Sequence, residues 1–250
     1  MAERLPVIVK QPDTLIDWWA QAGAGADALA AAYPRAQRWA VDPEPFGASP
    51  RRRWWRPAPP PPMRPQDVPV GRAQLLWANM MLHWVDDTQA EMQRWHALIQ
   101  EGGFLMFSTL GPGTLDALRT LYADAGWPVP HADFVDMHDL GDMLVHAGFA
   151  DPVMDQETLT LHWADPEALL RELRTLGGNV DHRRFAGLRT PRWLADLQQR
   201  LAVLSPARPA LRFEVVYGHA FRPPDRIRVA AQTEVGLETM RSILRSGRES

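Results

Sequence analysis

Asp17 closes a short apolar run, Thr14-Leu15-Ile16-Asp17, and is followed by WWAQAGAGA, in which Gly23 and Gly25 stand inside an alanine run. In an open parallel sheet, a glycine-bearing turn after the first strand lets the backbone approach a cofactor. The N-terminus of the next helix then favours negative charge. A helix start rich in small residues is the other reading of the same letters. Asp42 ends a second run, Ala36 to Asp42. It lies about 20 residues past the turn, where an acid would accept bonds from ribose hydroxyls. A strand-end Asp capping the following turn is the alternative. Asn79 directly follows the apolar run AQLLWA and leads into Met80, Met81, Leu82, His83 and Trp84, a polar strand end and apolar turn able to line the same cleft. The hydroxyls of Ser108-Thr109-Leu110-Gly111-Pro112-Gly113-Thr114 are placed to face it too, with Thr114 as a helix N-cap. Farther on, Arg171, Arg174, Arg183, Arg184 and Arg189 gather around Gly177-Gly178-Asn179. Guanidinium forks suit a carboxylate or a phosphate, although most surface arginines are simply solvated.

Other chemistries are excluded by composition. The chain has no Cys, so thiolate metal sites and Cys nucleophiles are absent. Lys10 is the only lysine, which leaves one candidate for Schiff-base chemistry. The nucleophile elbow GxSxG does not occur. His131 and His138 flank Asp133 and Asp136, but no HxH or HxxxH accompanies them, and no metal site is expected. A net charge of −3 gives no pull toward nucleic acid or an anionic membrane. No run reaches the ~18 apolar residues of a membrane span, and MAERLPVIVK has no signal-peptide pattern, so a cytoplasmic protein is expected.

Strands and helices must position these residues. Helices are expected over Ala24–Tyr33, Asp86–Gln100 (ended by Gly102-Gly103), Thr114–Ala125 and Asp139–Ala147. Between them run the strand candidates above and the buried strand Phe104–Thr109. This β-α-β-α rhythm predicts a mostly parallel sheet with helices on both faces. After Gly148 the alternation in Pro152–Trp163 and Leu211–Phe221 suits antiparallel strands. Two helices, Pro166–Leu176 and Pro191–Leu204, lie between those strands. The chain carries 11 Trp and 23 Pro, and residues 50–65 (PRRRWWRPAPPPPMRP) read as a polyproline-like surface loop.

Several blocks together resemble one family. LLWANMMLHWVDD (75–87), GGFLMFSTLGPGTLDALR (102–119), FVDMHDLGDMLVHAGFADPVMDQETLTL (134–161), LLRELRTLGGNV (169–180) and FEVVYGHAF (213–221) resemble, in order, the malonyl-acyl carrier protein O-methyltransferases of biotin synthesis. The resemblance covers residues 1 to about 221, and FSTLGPGTL and EVVYGHAF are its specific blocks. It implies a Rossmann-like class I methyltransferase fold, α/β, with seven strands, the last antiparallel. Residues 1–221 would form the domain, 165–208 a helical insert over the substrate, and 222–250 a polar tail. It also implies a helical lid ahead of the first residue. The implied cofactor is S-adenosylmethionine and the implied partner is acyl carrier protein. The implied reaction is methyl transfer to a malonyl carboxyl.

The family turn reads Asp-x-Gly-x-Gly-x-Gly; aligned from Asp17, Trp19 and Gln21 stand at the first two glycines and only Gly23 matches. The Pro-rich segment stands where a third strand and an adenine-contacting acid belong, with Asp67 the acid nearby. The cofactor-site candidates are therefore Asp17, Trp19, Gln21, Gly23, Asp42, Asn79, Met80 and His83. The substrate-site candidates are Thr109, Arg174, Arg183, Arg184 and Tyr217. No side chain is assigned to the chemical step itself, because a carboxylate is already a nucleophile and positioning suffices. The alternative is a methyltransferase-like protein without catalysis that acts through protein contacts.

Overall fold

A computed structural model describes residues 1–43, 61–204 and 208–224. Trp54-Trp55 and the rest of 44–60, and the tail beyond 224, lie outside the described residues.

The apolar runs become strands. These are β1 (Thr14–Trp18), β2 (Gln37–Val41), β3 (Ala73–Asn79), β4 (Ile99–Leu110), β5 (Ala150–His162) and β6 (Ala210–Phe221). They form one sheet in the order β2-β1-β3-β4-β6-β5. The first four are parallel; β6 runs antiparallel to β4, and β5 antiparallel to β6. Successive side chains alternate between the two faces. One face sends Ile16, Trp18, Leu76, Ala78, Leu105 and Phe107 into a cluster with α3 (Thr88–Leu98) and α5 (Met137–His146). The other sends Leu15, Leu75, Trp77, Phe104 and Met106 against Leu5 of an N-terminal 3₁₀ segment and Leu29 of α2 (Ala26–Ala32). A third cluster gathers Trp163, Leu211 and Phe213 with α4 (Asp116–Asp124), α6 (Pro166–Leu173) and α7 (Pro191–Leu204). Thus α6 and α7 form a separate helical layer on the chain between β5 and β6. Asp165 starts α6 by accepting from the Ala168 N–H at 2.7 Å, with Pro166 in the first turn.

Four expectations are corrected. The sheet has six strands among the described residues, not seven. Beyond β2, Met63 alone makes a parallel bridge to Val41: its N–H donates to the Ala40 carbonyl, and its carbonyl accepts from the Asp42 N–H. Pro61, Pro62 and Pro65 around it have no N–H to donate, so a ladder cannot extend. The helix expected over Ala24–Tyr33 starts two residues later, as α2, because Ala24 turns left-handed at φ 48° and closes a short helix before it, α1 (Ala20–Gly23). Helix α3 stops at Leu98 rather than running to Gln100, because Ile99 is already extended and pairs with Ala73. The pairing resumes at Leu75 with Phe104. Gly102 (φ 70°) and Gly103 therefore serve this wide bulge, not a helix end. Thr114 is not an N-cap; its hydroxyl bridges the backbone N–H and carbonyl of Glu214 at 3.1 Å each, and Leu115 (φ 59°) precedes α4. Among the described residues no helix is long and apolar enough to cross a membrane.

Candidate functional site

A cleft of about 2530 Å³ opens at the carboxyl ends of the parallel strands and runs beneath α6 and α7. Its first end is built by β1 and β2. Asp42 follows Val41 and is 2% exposed. Its Oδ1 accepts from the Gln21 N–H at 3.2 Å, while Oδ2 is buried with no partner among the described residues. Burial raises its pKa against the pull of that bond and of Arg38. Period 2 along β2 places Arg38, Ala40 and Asp42 on one face. Arg38 lines the cleft and donates from Nε to Asp17 Oδ2 at 2.9 Å. Asp17 itself is fully buried, and burial raises its pKa while Arg38 opposes the rise.

The turn between β1 and α2 is clamped from β3. Asn79 donates from Nδ2 to the Gly23 carbonyl at 2.6 Å and accepts from the Ser108 hydroxyl at 2.7 Å. A Cβ on Gly23 would lie 2.9 Å from the Asn79 carbonyl oxygen, so the close approach needs glycine. Trp19 holds the left-handed conformation (φ 53°) that a glycine adopts freely, and its side chain lines the cleft. Trp18, by contrast, belongs to the core: its Nε1 donates to Glu91 Oε1 at 2.6 Å. Met80 (φ 52°) and His83 continue the wall. Burial pulls the His83 pKa down to about 4, so the ring is neutral near neutral pH. The Thr109 hydroxyl approaches its Nδ1 at 3.5 Å from outside the cleft.

The far end is formed by the segment from α6 to α7. Arg174 lines the cleft, and among the described residues no partner holds its guanidinium; Gly177 (φ 114°) sits against the Trp84 ring. Arg183 lies outside the cleft, with its guanidinium bound to Asp181 and to Asp133 at 2.7 Å each. Arg184 donates to the Asp181 carbonyl at 3.2 Å and is also outside. Arg189 stacks over Phe185 and Trp193. Tyr217 stands apart, under the Arg4 guanidinium and donating to Glu157; burial first, then Glu157, pushes its pKa up to about 12.

The structure thus brings Trp19, Gln21, Asp42, Met80, His83 and Arg174 to the cleft. It places Asp17, Gly23 and Asn79 behind the cleft wall, and Thr109, Arg183, Arg184 and Tyr217 elsewhere. Asp67 is exposed and outside the lining. His131 donates from Nδ1 to the Ala132 carbonyl at 2.7 Å, and His138 pairs with Asp136. Among the described residues no group of three His, Asp or Glu could hold a metal ion. Sequence reasoning missed Arg38. The signal was a cation in an apolar strand, four positions before the strand-end acid and so on the same face.

A family model described as "Methyltransferase domain" matches residues 8–151. Among solved structures, a methyltransferase described as putative from Bacillus halodurans C-125 superposes with TM-score 0.55 at 14% identity, covering 89% of this chain and 99% of that one. Phosphoethanolamine N-methyltransferase 2 of Haemonchus contortus, solved in complex with S-adenosyl-L-methionine, gives TM-score 0.52 at 14% identity, covering 89% of this chain and 51% of that one. The fold is that of a Rossmann-like class I methyltransferase, and S-adenosylmethionine is its cofactor. The malonyl-[acyl-carrier protein] O-methyltransferase of Gallionella capsiferriformans is 35% identical over 241 residues, 91% of this chain and 83% of that protein. This chain belongs to that family of S-adenosylmethionine-dependent methyltransferases. The residues present are compatible with such a cofactor: among the described residues the buried Oδ2 of Asp42 has no donor and could accept from a hydroxyl.

Proposed function

We propose that this protein methylates the free carboxyl of a malonyl thioester carried on acyl carrier protein, as a cytoplasmic step of biotin synthesis. The supporting observation is one continuous cleft that joins the Asp42 end to an end roofed by α6 and α7, with Arg174 on its wall and unpaired among the described residues. S-adenosylmethionine, when bound, would supply an electrophilic methyl for an oxygen–carbon bond made as the carbon–sulfur bond breaks, the pair staying on sulfur and no proton being needed. The chain's own groups agree with an acceptor that is already ionised. His83, held neutral with its pKa near 4, is a weak base, so a hydroxyl acceptor would find little help there. Asp42 would orient the ribose, Met80 and His83 would exclude water from the reacting end, and Arg174 would hold an anionic group of the carrier-bound substrate. The malonyl acceptor itself follows from the family, whose relatives carry that substrate in their names.

Calorimetric titration with S-adenosylmethionine and S-adenosylhomocysteine tests the reading. Both are expected to bind. Asp42→Ala is expected to weaken binding by roughly tenfold to a hundredfold, the loss of a hydrogen bond to a charged group. A well-folded protein that binds neither compound would sink the enzymic reading and favour the protein-contact one.

A further inference from the structure

Trp19 is a bulky residue in a backbone conformation that favours glycine. Its φ of 53° and ψ of 51° are left-handed, and Ala24 at the other end of α1 is left-handed too. Such strain persists only where the surroundings over-determine it, and it clusters at ligand sites. Here three bonds hold the turn: the Gly23 N–H donates to the Trp19 carbonyl at 2.9 Å, Asn79 holds the Gly23 carbonyl, and the Gln21 N–H is on Asp42. The Trp19 indole is half-buried. It packs against the core cluster that contains Ile16, Trp18 and Val41, and it lines the cleft. Two other indoles already carry a cation: the guanidinium carbon of Arg189 lies 4.4 Å from the Trp193 ring centre, and that of Arg200 5.5 Å from the Trp127 ring centre. Among the described residues no cation stands over Trp19. Few anions compete for a cation in this cleft. The acids on its wall are Asp27, Asp42 and Glu172, of which Glu172 accepts from Trp163 and Asp42 is given to the ribose above. Met80, neutral His83 and Trp84 add no charge. A free indole face is then a strong attraction for a diffuse cation.

We propose that Trp19 is the residue by which this protein distinguishes charged from spent cofactor: its ring holds the sulfonium of S-adenosylmethionine by cation–π attraction and has no such hold on the neutral thioether of S-adenosylhomocysteine. The inference rests on the cofactor and not on which acceptor is methylated. It gives a purpose to a tryptophan standing where the family turn has glycine. The fixed, packed ring offers its face without losing side-chain freedom on binding, and the product cofactor leaves the more readily for having lost its charge.

The test is calorimetric titration of the full chain with S-adenosylmethionine, S-adenosylhomocysteine and sinefungin, whose ammonium stands in place of the sulfonium. Both cationic ligands are expected to bind about five- to tenfold tighter than S-adenosylhomocysteine. Trp19→Leu keeps apolar bulk and removes the π face. Its preference is expected to fall to within about twofold, through weaker binding of the two cations alone. Trp19→Phe keeps a weaker face and should fall between. Trp19→Gly relieves the left-handed backbone, so it covers the case in which the leucine variant does not fold, and it should lose the same preference. No preference in the parent protein overturns the inference. So does a preference that survives in the leucine or glycine variant, or an equal loss for all three ligands, which would make the ring a packing surface only; each of these leaves the proposed function standing. A well-folded parent that binds none of the three overturns both.

Discussion

Asp17 and Arg38 show how one side chain conditions a site it does not enter. Asp17 has no solvent exposure, and its charge is compensated by a single guanidinium at 2.9 Å. Breaking a buried pair by removing one partner costs about 3–5 kcal/mol, because the remaining charge stays desolvated. The Arg38 side chain is 35% exposed, so water recovers part of that loss. Arg38→Ala is therefore expected to lower stability by roughly 2–3 kcal/mol, read as a shift in urea midpoint with unchanged slope. Arg38→Lys keeps the charge without the planar fork and should lose less. Trp19 is the opposite case. Its place was legible from the family alignment, yet its left-handed backbone at φ 53° was not, since nothing in the letters distinguishes a strained Trp from one that has moved the turn.

Among the elements, the segment joining α6 to α7 is held at three points. Gly177 rests on the Trp84 ring, Asn179 donates to the Val129 carbonyl at 2.8 Å, and Arg183 reaches Asp133. A Cβ on Gly177 would come within 1.9 Å of that ring at a φ of 114°, so it offends both sterically and conformationally. Gly177→Ala is expected to lift the segment rather than unfold the sheet. Limited proteolysis should then cut 177–189 faster, and KM for the acceptor should rise several-fold, while S-adenosylmethionine affinity stays within twofold. The long periodic elements were legible in sequence: α7 has the expected bounds, and β6 differs by one residue. What was hidden depended on partners far away in the chain. Arg183 looked available beside Arg184, but it is held by Asp181 and also by Asp133, which lies 50 residues earlier. The left-handed turn falls on Ala24 rather than on Gly23 or Gly25 beside it, and the bulge at 100–103 mimicked a helix stop.

At the scale of the whole molecule, burial of neutral histidines links stability to pH. Burial lowers the pKa of His83, His131 and His219, and for His83 the value is about 4 against an ordinary 6.5. Between those two values the unfolded chain binds a proton at this position that the folded chain refuses, so stability falls as pH falls. The window for His83 is therefore about pH 6.5 down to 4. Asp17 and Asp42 have the opposite sign: burial raises their pKa values, so protonating them favours the folded state. Their relief begins only where carboxyls start to titrate, toward the acid end of the same window. The histidines thus dominate the upper part. The urea midpoint is expected to drop from pH 7 to pH 5, and His83→Gln should recover a measurable part of that drop while leaving the midpoint at pH 7 little changed. A variant whose midpoint falls as steeply as the parent's between those pH values would show that His83 is protonated in the folded cleft. The proposed anionic acceptor would then meet a cation there instead of a neutral wall.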